Sequence, residues 1–177
     1  MAVAAGQTHD ELESMLLAIG PSILDQPPSF GAWDGAELIG AVLSTAFTWM
    51  PPDGAGGLSP NYRPIGAIIG ALETGFEAQP QDKLQTCLHI HMLAVSRGFR
   101  GHRIAEHLVN TCIESAATHG FQEVVSDATN PASQQVFTKT GFARLTEQRF
   151  ADFDFEGRRC FSEIETAPDI ALMWRAI

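Results

Sequence analysis

The chain has 177 residues, enough for one domain with a buried core, and its 45% apolar and 18% charged content is that of a globular protein. A net charge of -10 argues against nucleic-acid binding, which calls for a basic face, and suits a cationic small molecule. Cys87, Cys112 and Cys160 form no CxxC pattern, so neither a disulfide framework nor a zinc site is suggested.

The first residues, 1–6, lack the basic start and apolar core of a signal peptide, and no apolar run approaches membrane-spanning length. The expectation is a cytoplasmic protein without a membrane partner. Residues 8–19 predict a helix: Thr8 and Glu11 have capping-box spacing, and Leu12, Met15 and Leu16 form an apolar stripe that Gly20 and Pro21 end. A connector with Pro27 and Pro28 follows. Asp34 and Gly35 mark a turn before a long strand over 38–47, and a short strand at Ala32 and Trp33 would make a hairpin. Residues 51–60 are rich in Pro and Gly and predict a mobile loop near a binding site.

Ile65, Ile68, Ile69 and Leu72 fall at i, i+3, i+4 and i+7, which predicts a helix from about Pro64. Gly66 and Gly70, four apart, read as close packing against a neighbour. Residues 79–83 then lead into the central strand, where Leu88, Ile90 and Met92 alternate with His89 and His91 before the apolar run Leu93, Ala94, Val95. A turn with Gly98 and Gly101 opens a helix near His102, whose apolar face carries Ile104, Leu108, Cys112 and Ala116 and which closes at Gly120. Residues 121–126 alternate as a strand. Asn130 before Pro131 starts a helix that ends at Gly141. A strand over 142–155, a turn at Glu156 and Gly157, and a last strand over 170–177 complete the chain. No repeat or linker divides it, so residues 1–177 read as one α/β domain with helices on both faces of a mixed sheet.

The strand, Arg-bearing turn and helix around Gly101 make an anion site: the first N–H groups of a helix lack intrahelical partners, and Arg97, Arg100 and Arg103 add charge. A strand–turn–helix with solvated arginines is the plainer reading. Here the sequence resembles the GNAT superfamily of acyl-CoA N-acyltransferases. His89-Ile90-His91-Met92-Leu93-Ala94-Val95 is similar to the strand of its arylalkylamine (serotonin) N-acetyltransferase branch. Arg100-Gly101-His102-Arg103-Ile104-Ala105 resembles the superfamily's pyrophosphate loop, with Arg103 in place of the central Gly. Thr129-Asn130-Pro131-Ala132-Ser133 and Val136-Phe137-Thr138-Lys139-Thr140-Gly141-Phe142 look like its second cofactor-side helix. The resemblance covers residues 88–142 well and the flanks in outline.

The resemblance implies a GNAT fold, with a mostly antiparallel central sheet that splays at the acetyl-CoA site after Met92. It implies that the Leu93, Ala94 and Val95 backbone pairs with pantetheine. The N–H groups of Arg100, Gly101, His102, Arg103, Ile104 and Ala105 would hold the pyrophosphate, and Asn130, Ser133 and Phe137 would line the pantetheine and adenine side. The family usually starts with a strand before its first helix, and an early acidic residue can supply the base. Neither is found here, so either that strand is absent or the native protein begins upstream of Met1.

Acetyl transfer needs a deprotonated amine, a polarised thioester and two reactants held in line. An amine with a pKa of about 10 is almost wholly protonated at neutral pH. His89 and His91 share a face about 6.5–7 Å apart along the strand, and imidazole titrates at about 6.5, so the pair suits a proton path. Inert, hydrogen-bonded sheet histidines are the alternative. A His-x-His pair also suggests a metal, but no third ligand has recognisable spacing, and no metal is expected. Many relatives carry a Tyr acid where this chain has Phe137. Thr129 and Ser133 are the substitutes, with helix capping as their other reading. The resulting expectation is a small-primary-amine N-acetyltransferase that uses acetyl-CoA, with catalytic residues His89, His91 and Ser133 and with a homodimer left possible. A peptide or protein N-acetyltransferase and a non-catalytic acyl-CoA-binding module are its rivals.

Overall fold

A computed structural model of the chain describes residues 1–26, 28–51 and 59–177, so most of the 51–60 loop lies outside the described residues. The elements are α1 (His9–Leu24), β1 (Phe30–Asp34), β2 (Glu37–Ala46), α2 (Arg63–Glu77), α3 (Gln81–Gln85), β3 (Cys87–Val95), α4 (Ile104–Thr118), β4 (Glu123–Ala128), α5 (Pro131–Lys139), β5 (Ala143–Arg149) and β6 (Asp169–Ala176). The six strands form one sheet in the order β1-β2-β3-β4-β6-β5. Every pairing is antiparallel except β3 with β4. This is the mixed, mostly antiparallel sheet that the resemblance implies. No strand precedes α1 among the described residues.

Two apolar clusters cover the two faces of the sheet. On one, Leu108, Val109, Cys112 and Ala116 of α4 and Phe137 of α5 pack on Val42, Leu88 and Ile90. On the other, Ile65, Ile68, Leu72 and Phe76 of α2 pack with Val125, Ile170 and Leu172. The helical spacing of those α2 residues turns them all to the sheet, and burying a side chain such as Ile68 contributes about 1.5–3 kcal/mol. Gly40 brings α4 close to β2: a Cβ there would stand 3.1 Å from the Ala94 carbonyl oxygen and 3.2 Å from side-chain carbons of Ile104 and Leu108.

Several expectations are corrected. α1 does not stop at Gly20 and Pro21 but runs to Leu24 with Pro21 inside it. Pro21 costs α1 the backbone bond to the Leu17 carbonyl, and the extra turn offsets that loss by burying Ile23 completely. The helix expected near His102 starts at Ile104. The strand expected over 142–155 ends at Arg149, where a 3-10 turn at Phe150–Asp152 buries Phe150. The short helix α3 was not foreseen.

The sheet opens in the middle. β3 and β4 pair only through Cys87 with Glu123, Leu88 with Val124 and His89 with Val125. Beyond that, the Ser126 hydroxyl donates to the Ile90 carbonyl at 2.9 Å, and the two strands diverge. The opening therefore begins after His89, three residues before the expected Met92. A β-bulge explains the shift. Leu43 pairs with Met92 and Ser44 with Ile90, which leaves His91 as an extra residue in β3. Bulges bend a strand and raise its twist. This one also flips the alternation, so that Met92 lies on the same side as His91, and Leu93 joins the face covered by α4.

Candidate active site

The opening leaves two cavities, one on either side of β3. The first, of about 770 Å³, is lined by Leu93, Ala94 and Val95, by Arg100, Gly101, Arg103, Ile104 and Ala105, and by Asn130, Ser133 and Lys139. The Leu93–Val95 backbone pairs with β2 on one side only, through Val42, Ala41 and Gly40, and β4 no longer covers the other side. The N-terminus of α4 faces this cleft with no side-chain cap, so its first N–H groups stay open to an anion. Arg100, Arg103 and Lys139 supply positive charge, and Glu106 answers Lys139 at 3.4 Å.

Arg103, which the resemblance sets in place of a glycine, lies in the left-handed region that glycine favours, with φ 59° and ψ 17°. The left-handed region costs a non-Gly residue about 1–2 kcal/mol. Arg103→Gly should therefore raise the thermal unfolding midpoint while weakening anion binding in the cleft. Calorimetric melting and a CoA titration on the same variant check both halves.

The second cavity, of about 400 Å³, is lined by Met15, Ile19 and Ile23 of α1, Phe47, Trp49, Tyr62, Ile69, Glu73, Glu77, His89, His91, Met92, Asp127 and Thr129. Its wall is apolar and aromatic, and its polar groups converge at one end. His89 donates from Nε2 to Asp127 Oδ2 at 2.9 Å, and its Nδ1 lies 3.7 Å from Glu73 Oε1. His91 lies beside it, with ring centroids 4.2 Å apart. The Thr45 hydroxyl donates to the Ala46 carbonyl at 2.9 Å, so the 2.7 Å contact between Thr45 Oγ1 and His91 Nε2 has the imidazole as donor.

Burial and charge pull these groups in different directions. Desolvation disfavours a charged His89, but the hydrogen bond and charge of Asp127, with the Glu73 carboxyl, outweigh it and raise its pKa. Burial and the neighbouring His89 charge depress His91 to about 3, so it stays neutral at physiological pH. Glu73 is pushed up to about 7, first by burial and then by Asp127, with His89 opposing. Tyr62 is also raised, by burial and by the Asp127 and Glu73 charges.

Of the residues expected to hold the cofactor, ten line the first cleft: Leu93, Ala94, Val95, Arg100, Gly101, Arg103, Ile104, Ala105, Asn130 and Ser133. Phe137 does not; its ring is buried against Phe142, centroids 5.0 Å apart, because the helical period of α5 turns it to the core. The His102 ring turns back to the Phe99 carbonyl at 3.2 Å and is exposed. Ser133 donates to the Asn130 carbonyl at 2.9 Å, and Asn130 caps α5 by accepting from the Ser133 N–H at 3.0 Å. His89 and His91 share the second cavity, as their common face predicts, and Thr129 joins them there.

Glu73, Asp127, Thr45 and Tyr62 were missed. Glu73 had a legible signal: it sits eight residues after Ile65, where the α2 stripe calls for an apolar side chain. One donor atom from each of Glu73, His89 and Asp127 lies within 4.8 Å of the others, a spacing that also suits a metal ion.

Solved structures share this architecture over nearly the whole chain. The C-terminal condensation domain of Ebony, in complex with beta-alanyl-dopamine, superposes with a TM-score of 0.84 at 15% identity, covering 96% of this chain and 82% of that one. Arylalkylamine N-acetyltransferase 2 from Aedes aegypti gives 0.79 at 22% identity over 99% of this chain and 86% of that one. A polyamine N-acetyltransferase from Drosophila melanogaster gives 0.69 at 20% identity over 89% and 79%. At these identities the likeness establishes the fold. The model of the acetyltransferase (GNAT) family matches residues 8–142, from the capping box of α1 through the β3–α4 cleft to the end of α5, and the chain belongs to that family.

Proposed function

We propose that the protein transfers an acetyl group from acetyl-CoA to a small primary amine, of arylalkylamine type, by direct attack of the amine. The observation that carries the reading is the pair of cavities bounded by one strand. Leu93 to Val95 border the cationic cleft, and His89, His91 and Met92 border the apolar one. Reactants seated in the two would meet across β3, which supplies proximity and alignment.

The fit to acetyl-CoA rests on the uncapped α4 N-terminus, the free β3 edge and the cleft cations. α4 N–H groups and Arg100 bind the phosphates, and the Leu93–Val95 backbone pairs with the amide arm as an added strand would. When bound, acetyl-CoA supplies the activated acyl group. Phe47 and Trp49 pack beside the two histidines, with ring centroids 5.6 Å from His89 and 5.7 Å from His91 respectively, and suit an aromatic amine. His89 keeps the amine's surroundings polar, and His91 packs beside it with its Nε2–H on Thr45. Ser133 is the cleft hydroxyl proposed to protonate the departing thiolate, after turning from the Asn130 carbonyl.

Arg100→Ala should weaken CoA about 5- to 10-fold, the low end for a charge-assisted contact at an exposed site. Raised salt should weaken the wild type by a similar factor. Titration calorimetry reads both. A thiol-release assay over arylalkylamines, polyamines and amino acids tests the transfer itself. Tight CoA binding without release for any acceptor would sink it in favour of an acyl-CoA-binding module.

A further inference from the structure

Accepting the amine transfer proposed above, we infer that Glu73 is the group that receives the acceptor's ammonium and takes its proton, with His89 as its positioning partner and His91 outside the proton path. Glu73 lines the amine cavity and is itself buried, and its Oε1 has no hydrogen-bond partner. Asp127 Oδ1 is likewise buried and without one. Two buried carboxyl oxygens thus lack hydrogen bonds on residues that line an apolar-walled cavity, and a primary ammonium carries three donors. The titratable groups around Glu73 are His89 from β3, Asp127 from β4, Tyr62 ahead of α2 and Glu77 one turn along α2.

His89 already spends Nε2 on Asp127, and both its neighbours favour its protonated form, so it has no lone pair to offer. His91 uses its Nε2–H on Thr45, and an imidazole depressed to about 3 is too weak a base. Glu73, near 7, is matched to the task. In the step, an ammonium N–H bond breaks, the proton goes to Glu73 Oε1 and the electron pair stays on nitrogen. Nitrogen then bonds the acyl carbon as the C–S pair leaves with sulfur; Ser133 gives its hydroxyl proton to the thiolate and takes up the second amine proton in exchange. Exposed Glu77, at the mouth of the cavity, passes the Glu73 proton to water.

Two measurements test this. In kcat/KM profiles with tryptamine, the wild type should rise with pH through about 7. Glu73→Gln should lower the plateau by about 10²-fold or more and remove that limb, Glu73→Asp should keep the limb, and His91→Gln should lose less than about 3-fold. Separately, tryptamine is titrated by calorimetry, in buffers of different ionisation enthalpy, into protein saturated with CoA, a complex that cannot react. Binding should release a proton near neutral pH in the wild type and in His91→Gln, and none in Glu73→Gln. An active Glu73→Gln that keeps the limb, or one that still releases the proton, overturns the assignment while leaving the transfer reading intact. So does activity lost to a chelator and restored by a divalent cation, which would give the cluster to a metal. A wild type that releases no thiol with any amine fails the transfer reading instead.

Discussion

His89→Gln should lower amine turnover by about 10²-fold or more at neutral pH, and the deficit should shrink as the pH is raised. Among the described residues His89 is the one cation that pairs with both the Glu73 and Asp127 carboxyl groups, and its charge opposes the rise of the Glu73 pKa. Without it, Glu73 faces Asp127 alone, and its pKa climbs above about 7. The carboxyl is then protonated at neutral pH and accepts nothing. The activity limb moves to higher pH, and alkaline conditions restore part of the rate. A simple packing defect would depress the rate at every pH alike, so the shape of the profile separates the two. Folding should suffer only moderately, because a protonated Glu73 no longer demands a counter-charge.

Gly40→Val should destabilise the fold by about 3 kcal/mol, the upper end for overpacking, and weaken CoA as well. The first added carbon already stands 3.1 Å from a backbone oxygen, which cannot rotate away, and 3.2 Å from Ile104 and Leu108. The γ carbons of Val have nowhere to go unless α4 lifts off β2. Ile104 is the first residue of α4, so that lift displaces the open N–H groups facing the cleft. Denaturant unfolding with a parallel CoA titration checks the pair of effects. Gly40→Ala should show a smaller version of both.

The cleft was far more legible than the cavity beside it. Its parts are contiguous: a strand, a turn and a helix over residues 93–105, where apolar period, glycines and arginines all report locally. The second cavity gathers side chains from α1, the segment after β2, α2, β3 and β4. No local pattern joins Glu73 to Asp127, and only the sheet order brings α2 and β4 to the same histidine. The bulge at His91 was hidden for a related reason. One inserted residue appears only as a phase slip between His91 and Met92, which the apolar run Met92–Val95 hides. Phe137 shows the opposite error: its place in a family pattern suggested the cleft, whereas the α5 period assigned it to the core. Pro21 misled because the burial of Ile23 beyond it outweighs the one backbone bond the proline removes.

The three-residue pairing of β3 with β4 has a mechanical meaning. Gly120, in the turn after α4, divides the chain so that β1, β2 and β3 precede it and β4, β5 and β6 follow it. Each half is a continuous antiparallel wing, and the backbone ladder between the wings is shorter than any other in the sheet. A molecule lodged in the opening touches residues 93–106 on one wing and 130–139 on the other. It acts as a rivet across the seam, so occupancy should slow amide exchange in both wings together, well beyond the residues it touches.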